Sequence, residues 1–145
     1  MAEIVGIHHV KFPVSDLARS REWYERVLGF KVEVEFRDTE DGVVRGVAGH
    51  VGDVPVALRE QKTAAAGLAG FDPVCFAIAD RQAAEDWIAR LDELGVEHPP
   101  MIEASIGWIV RVTDPDGIEV RFYSLARNDA VDHTGEYGYA QPVQN

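Results

Sequence analysis

Hydrophobic positions along this chain run through one pattern twice: alternation, then helical spacing, then three more stretches of alternation. Val10, Phe12 and Val14 fall on one face of a strand, and Leu17, Tyr24, Val27 and Leu28, with Trp23 alongside, follow the spacing of one helix face. Val74, Phe76 and Ile78 repeat the strand, and Ala84, Trp87, Ile88, Leu91 and Leu94 repeat the helix. Asp16 and Asp80 precede the two helices as N-caps, where a carboxylate accepts from first-turn N–H groups. Gly29 and Gly95 stand where a helix closes on a left-handed residue. Strand-like runs follow at 31–36, 43–48 and 54–59, then at 100–104 (the least regular), 108–113 and 118–123. Asp114-Pro115-Asp116-Gly117 predicts a hairpin between the last two, because proline fixes φ and glycine admits φ > 0.

The two copies align at an offset of 64, which carries His9 onto Pro73 and Trp23 onto Trp87. The tryptophans read as core anchors. The expected organisation is one domain over 1–145, with β-α-β-β-β modules at 4–60 and 71–124. A linker rich in alanine and glycine occupies 61–70, and a polar tail occupies 125–145. The tail has no clear period and is expected to be partly disordered or to wrap a neighbour.

Composition narrows the function. At 145 residues with 46% hydrophobic and 27% charged positions, the chain can build a core without staples. A single cysteine, Cys75, excludes an intrachain disulfide and a cysteine-rich zinc site. The first residues lack a basic region followed by an apolar run, and no stretch approaches ~18 apolar residues, so neither a signal peptide nor a membrane span is expected. A cytoplasmic location is the simplest expectation. A formal charge of −11 repels phosphate backbones, and no basic run reverses it locally, so nucleic-acid binding is not expected. The acidity fits simple solubility, or attraction of a cationic ligand.

The doubled β-α-β-β-β unit resembles the glyoxalase / bleomycin-resistance / extradiol-dioxygenase (vicinal oxygen chelate) superfamily. So do His9-x-x-Phe12-x-Val14-x-Asp16, the Trp23-Tyr24 helix ending in Leu28-Gly29-Phe30, and the Asp114–Gly117 hairpin. The resemblance spans about residues 4–124. It implies an α+β fold in which two tandem modules form a curled mixed-sheet cup, with the helices outside and a small-molecule site within. It leaves the reaction open, because one fold hosts many chemistries. It also implies a homodimer, since exposed sheet edges are a hazard that a second chain can cover.

Alternation then predicts which side chains line the cup. His9, Lys11 and Pro13 do so on the first strand, and Pro73, Cys75 and Ala77 on its repeat. Glu119, Arg121 and Tyr123 face in on the last strand, with Arg111 beside them and Arg59 and Arg45 as further candidates. Members of the family that bind a divalent ion use a histidine on the first strand, a histidine on its repeat and a carboxylate on the last strand. His9 matches the first, but Pro73 and Arg121 occupy the other two positions. Proline offers no donor, and a guanidinium carries the wrong sign. Asp72 is expected on the opposite face, and His8 is expected to point away from His9. His50, His98 and His133 are expected in loops or the tail. Glu119 lies on the cup face but roughly 6.5 Å along the strand from the usual place.

These residues lead to a small-molecule-binding protein or a metal-independent enzyme, with no cofactor and an anionic or oxygen-rich ligand. His9 would be its acid–base residue and Arg121 its catalytic charge anchor, with Lys11, Cys75, Arg111, Glu119 and Tyr123 in contact with ligand. Two alternatives stay open. Arg121 could be a structural partner of Glu119 or Glu60, and a divalent metal could bind through His9 and Glu119 in a lyase, isomerase or dioxygenase with an altered ligand set.

Overall fold

The computed structural model describes residues 1–104, 106–128 and 143. The tail beyond Asn128, apart from Val143, lies outside the described residues, as do the expectations made for it and for His133. The order is β1 Val10–Val14, α1 Leu17–Leu28, β2 Lys31–Arg37, β3 Val44–Val51 and β4 Val54–Glu60. Then follow α2 Lys62–Leu68, β5 Val74–Ile78, α3 Arg81–Glu93, β6 Ile102–Ala104, β7 Gly107–Thr113 and β8 Glu119–Ser124. The chain divides into two compact units, residues 1–71 with 114–118 and residues 72–113 with 119–145. Each holds a four-stranded mixed sheet, ordered β1-β4-β3-β2 in the first and β5-β8-β7-β6 in the second. In both, the opening strand pairs parallel to the last and the remaining pairs are antiparallel, so the α+β architecture of the repeat is present twice.

Local chemistry sets the ends of the helices. The Asp16 side chain accepts from the Arg19 N–H at 3.1 Å, and Asp80 accepts from the Ala83 N–H at 3.0 Å. Gly29 closes α1 at φ 71°. In the first unit Phe12, Val14, Tyr24 and Val27 are fully buried, with the rings of Phe12 and Tyr24 5.2 Å apart. In the second, Phe122 stacks on Trp87 at 4.1 Å beside Val110 and Val120. Each side chain of this size removed from water stabilises the fold by about 1.5–3 kcal/mol. The helix therefore covers one face of each sheet, and the alternate residues are left on the other.

The Asp114–Gly117 turn has a second role that its turn chemistry alone does not reveal. Asp114 is buried; its Oδ2 accepts from the Tyr24 hydroxyl at 2.7 Å, and its Oδ1 accepts from the Asp116 and Ile118 N–H groups at 2.9 Å. Asp116 accepts from the Ser15 N–H at 3.0 Å, from the Ser15 hydroxyl and from Arg19 at 3.2 Å. Gly117 takes φ 84°, and its carbonyl accepts from the Gly70 N–H at 2.8 Å.

Two local features differ from the sequence pattern. The 61–70 linker carries a helix, α2, built on Thr63-Ala64-Ala65-Ala66, of which Ala65 is buried. Strand β3 runs three residues past Ala48, which places His50 in the ladder opposite Lys31 and Pro55 rather than in a loop. Gly49 permits that extension: a Cβ there would lie 1.8 Å from the Lys31 carbonyl oxygen, across an irregularity in the β2–β3 register.

Candidate functional site

In the first unit the face away from α1 is built in rows across the strands. Val34 pairs with Ala48, Ala48 with Ala57, and Ala57 with Lys11. The next row runs Phe36, Gly46, Arg59 and Pro13. Lys11 and Pro13 are therefore where alternation puts them. A groove of about 310 Å³ lies over this face, bordered by His8, His9 and Lys11 on one side and by Val34 and Phe36 on another.

His9 differs from expectation. It precedes β1 in a segment without regular structure, and it is exposed. Its Nδ1 is 2.9 Å from Nδ1 of His8, so His8 turns toward it rather than away. Strand alternation places a side chain only where a ladder fixes the backbone, and the ladder starts at Val10. His50 joins the same groove, with its Nδ1 2.5 Å from Glu33 Oε1. The sequence pattern sets His8 away from His9 and His50 in a loop, so neither is expected at this groove. Continuing the β3 alternation past Ala48 would have found His50.

Two arginines are spent elsewhere. Arg45 binds Asp38 at 2.5 Å and Asp41 at 2.7 Å, and Arg59 reaches Asp38 at 3.2 Å. Arg45 does not line the groove, because the carboxylates of the β2–β3 connection hold its guanidinium. That hydrogen bonding pulls Asp41 down to about 2 and Asp38 below the usual carboxylate range. His98, for its part, lies between Asp92, at 2.6 Å, and the Pro99 carbonyl, at 2.9 Å.

The second unit gathers most of the remaining candidates. Arg111 stands opposite Arg121 across β7–β8, and Cys75 stands opposite Arg121 across β5–β8. Glu119 and Tyr123 flank Arg121 at two-residue spacing on the same strand face. Arg121 is 5% exposed; its Nε is 3.0 Å from Glu119 Oε1 and 3.4 Å from Asp72 Oδ2. Asp72 was expected on the opposite face, but it precedes β5 and is free of strand alternation. Arg111 is less well provided for. Its Nε is buried without a hydrogen-bond partner, and its nearest carboxylate oxygen, on Glu119, is 4.0 Å away.

Cys75 is exposed rather than packed inside. Partial desolvation pushes its thiol up, with Arg121 opposing and Asp72 adding to the shift. A thiol raised in this way is a poor nucleophile at neutral pH. Tyr123 is also raised, by desolvation first and Cys75 second, with Arg121 opposing. Among the described residues no three His, Cys, Asp or Glu side chains are grouped as a metal ion would require. Nor is any described helix long and apolar enough to cross a membrane.

A doubled β-α-β-β-β chain with a four-stranded mixed sheet in each unit belongs to the class of α+β domains. Residues 6–122 match the Glyoxalase/Bleomycin resistance protein/Dioxygenase superfamily, and the chain belongs to that family. Solved structures agree on the fold. A glyoxylase/bleomycin resistance protein/dioxygenase domain from Frankia sp. EAN1pec is 24% identical, with TM-score 0.65 over 84% of this chain and 93% of that one. Lactoylglutathione lyase from Agrobacterium tumefaciens is 18% identical, with TM-score 0.68 over 85% and 96%. The fosfomycin resistance protein FosX from Listeria monocytogenes is 15% identical, with TM-score 0.65 over 84% and 94%.

Proposed function

We propose that the chain is a small-molecule-binding protein, or an enzyme that works without a metal, and that its ligand presents an anionic or oxygen-rich group. The observation that carries this reading is the Arg111–Arg121 pair. The Arg121 guanidinium is buried, and the guanidinium opposite it has a buried N–H without an acceptor. Two like charges facing each other across a ladder are costly. Glu119 and Asp72 offset that cost at Arg121, while a ligand carboxylate, enolate or phenolate would complete Arg111. Within the second unit Arg121 then anchors the ligand, with Cys75 and Tyr123 offering contacts; within the first, Lys11 and His9 offer charge and proton transfer.

A point mutant of FosX from L. monocytogenes has been crystallised with Mn(II) and 1S,2S-dihydroxypropylphosphonic acid. A comparable ion here would depend on His9 and Glu119. That donor set does not fit: Pro73 replaces one imidazole, and Glu119 Oε1 is already engaged by Arg121 at 3.0 Å. Elemental analysis of protein purified without added metal is expected to give well under one equivalent. A stoichiometric Mn, Fe, Ni or Zn signal that survives dialysis would overturn metal independence.

Isothermal titration calorimetry with a series of small carboxylates and their neutral amides tests the anion reading. Arg121→Ala and Arg111→Ala are each expected to weaken carboxylates by at least about tenfold and to spare the amides. Equal losses for both ligand types would make the arginines structural. We further propose a cytoplasmic homodimer. The apolar side chains of Ile4, Val5 and Ile7, 80–96% exposed, and the free edges of β1 and β2 are surfaces that a second copy would cover. Sedimentation as a monomer at micromolar concentration would refute the dimer.

A further inference from the structure

We infer that the groove of the first unit binds planar aromatic anions, with the ring on the Ala48–Ala57 floor and the charge on Lys11. This rests on the reading of the chain as a binder of anionic small molecules and adds the ligand's shape. Three observations converge. The floor is flat because its central side chains, Ala48 and Ala57, extend no further than a methyl group. Its far wall is apolar and uncovered, with Val34 46% and Phe36 51% exposed, which suits contact with the face or edge of a ring. Its near wall is Lys11, directly opposite Ala57 and exposed, its ammonium with neither a hydrogen bond nor an ion pair to any described residue. His8 and His9 lie beside it.

Three strand spacings separate Lys11 from Val34, roughly 14 Å, which accommodates a one- or two-ring molecule with its anionic group at one end. Glu33 is the carboxylate at the groove's border, and His50 holds it at 2.5 Å. It therefore leaves Lys11 available. A saturated, branched ligand of equal volume would stand off the flat floor and lose contact with Phe36.

The test uses 2-naphthoate and its neutral analogue 2-naphthamide, titrated calorimetrically and mapped by amide chemical shifts on the full chain. Shifts are expected at Lys11, Val34, Ala48 and Ala57. Lys11→Met, which keeps most of the stem, should weaken 2-naphthoate about tenfold and leave 2-naphthamide unchanged. Ala48→Phe, which would fill the groove above its half-buried floor, should weaken both by at least about tenfold. Absence of 2-naphthoate binding at millimolar concentration overturns the inference. Binding that responds to Arg121→Ala but to neither first-unit variant overturns it too, while leaving the Arg121 reading standing. A change in oligomeric state on Ala48→Phe with no change in 2-naphthoate affinity also overturns it, by assigning this face to a second copy of the chain.

Discussion

Replacing Tyr24 with phenylalanine removes one oxygen and, on the present geometry, is expected to destabilise the fold by about 1.5–3 kcal/mol. The ring itself is retained, together with its contacts to Phe12 at 5.2 Å and Trp23 at 5.0 Å. Only the hydroxyl that donates to Asp114 Oδ2 at 2.7 Å is lost. Asp114 is 4% exposed, so water cannot replace that donor without opening the turn. Burial and the adjacent carboxylate hold the phenol far above its ordinary value, so Tyr24 remains a donor at every accessible pH. For a chain of this length the cost corresponds to a fall in Tm of roughly 3–12 °C.

The pH dependence makes the test sharper. Burial raises Asp114 above its ordinary 3.8, against the downward pull of Tyr24 and the amides of Ile118 and Asp116. A raised folded-state pKa means that the stability tied to the protonated carboxyl is complete below 3.8 and is lost as pH rises through the folded value. Tyr24→Phe removes one of the downward influences, so the variant loses more over that rise than the parent does. Urea melts at pH 3.5 and pH 7 should therefore show a smaller gap between parent and variant at the lower pH. A gap below about 0.5 kcal/mol at pH 7, or equal gaps at both, would refute the assignment of Tyr24 as the hydroxyl that sustains a buried carboxylate.

Gly49→Ala should cost more than about 3 kcal/mol, beyond ordinary overpacking, because its Cβ would lie 1.8 Å from the Lys31 carbonyl oxygen; chemical denaturation measures this. Carboxyl-carbon NMR titration should place Asp41 at about 2, and Arg45→Gln should return it toward 3.8. Because that pKa is lowered on folding, its contribution is present above 3.8 and fades as pH falls toward 2; the site is exposed, so the global effect on stability is small. Asp80→Ala should lower stability by about 1 kcal/mol through loss of the cap on the Ala83 N–H, a change readable from the denaturation midpoint.

How much of this could be read before the fold was known follows from where each residue lies relative to a ladder. Inside strands, alternation has a strict two-residue period, and Lys11, Arg111, Glu119, Arg121 and Tyr123 stand on the faces it predicts. The capping aspartates and Gly29 were equally readable, because their chemistry is local to the chain. The pattern failed at strand ends. His8 and His9 precede β1, Asp72 precedes β5, and His50 lies on a strand whose length depends on Gly49 having no side chain. Nothing in the spacing of Asp114 or Tyr24 signals their bond, since the partners are 90 positions apart and meet only when the turn packs on α1.

This division ranks the candidate residues themselves. Arg111 and Arg121 are fixed by backbone pairing on both sides or one side of the same ladder, so their mutual approach persists however the segments before the strands move. His9 has no such support: its position depends on an exposed segment, its partner is the adjacent His8, and a small torsional change would re-aim it. Chemistry that needs a preorganised charge is therefore better assigned to the arginines. Chemistry assigned to His9 requires that ligand, or a second copy of the chain, first order the residues before Val10. A His9→Gln variant that loses turnover but keeps carboxylate affinity would fit that division, whereas loss of affinity equal to that of Arg121→Ala would place His9 among the fixed binding groups and reverse the ranking.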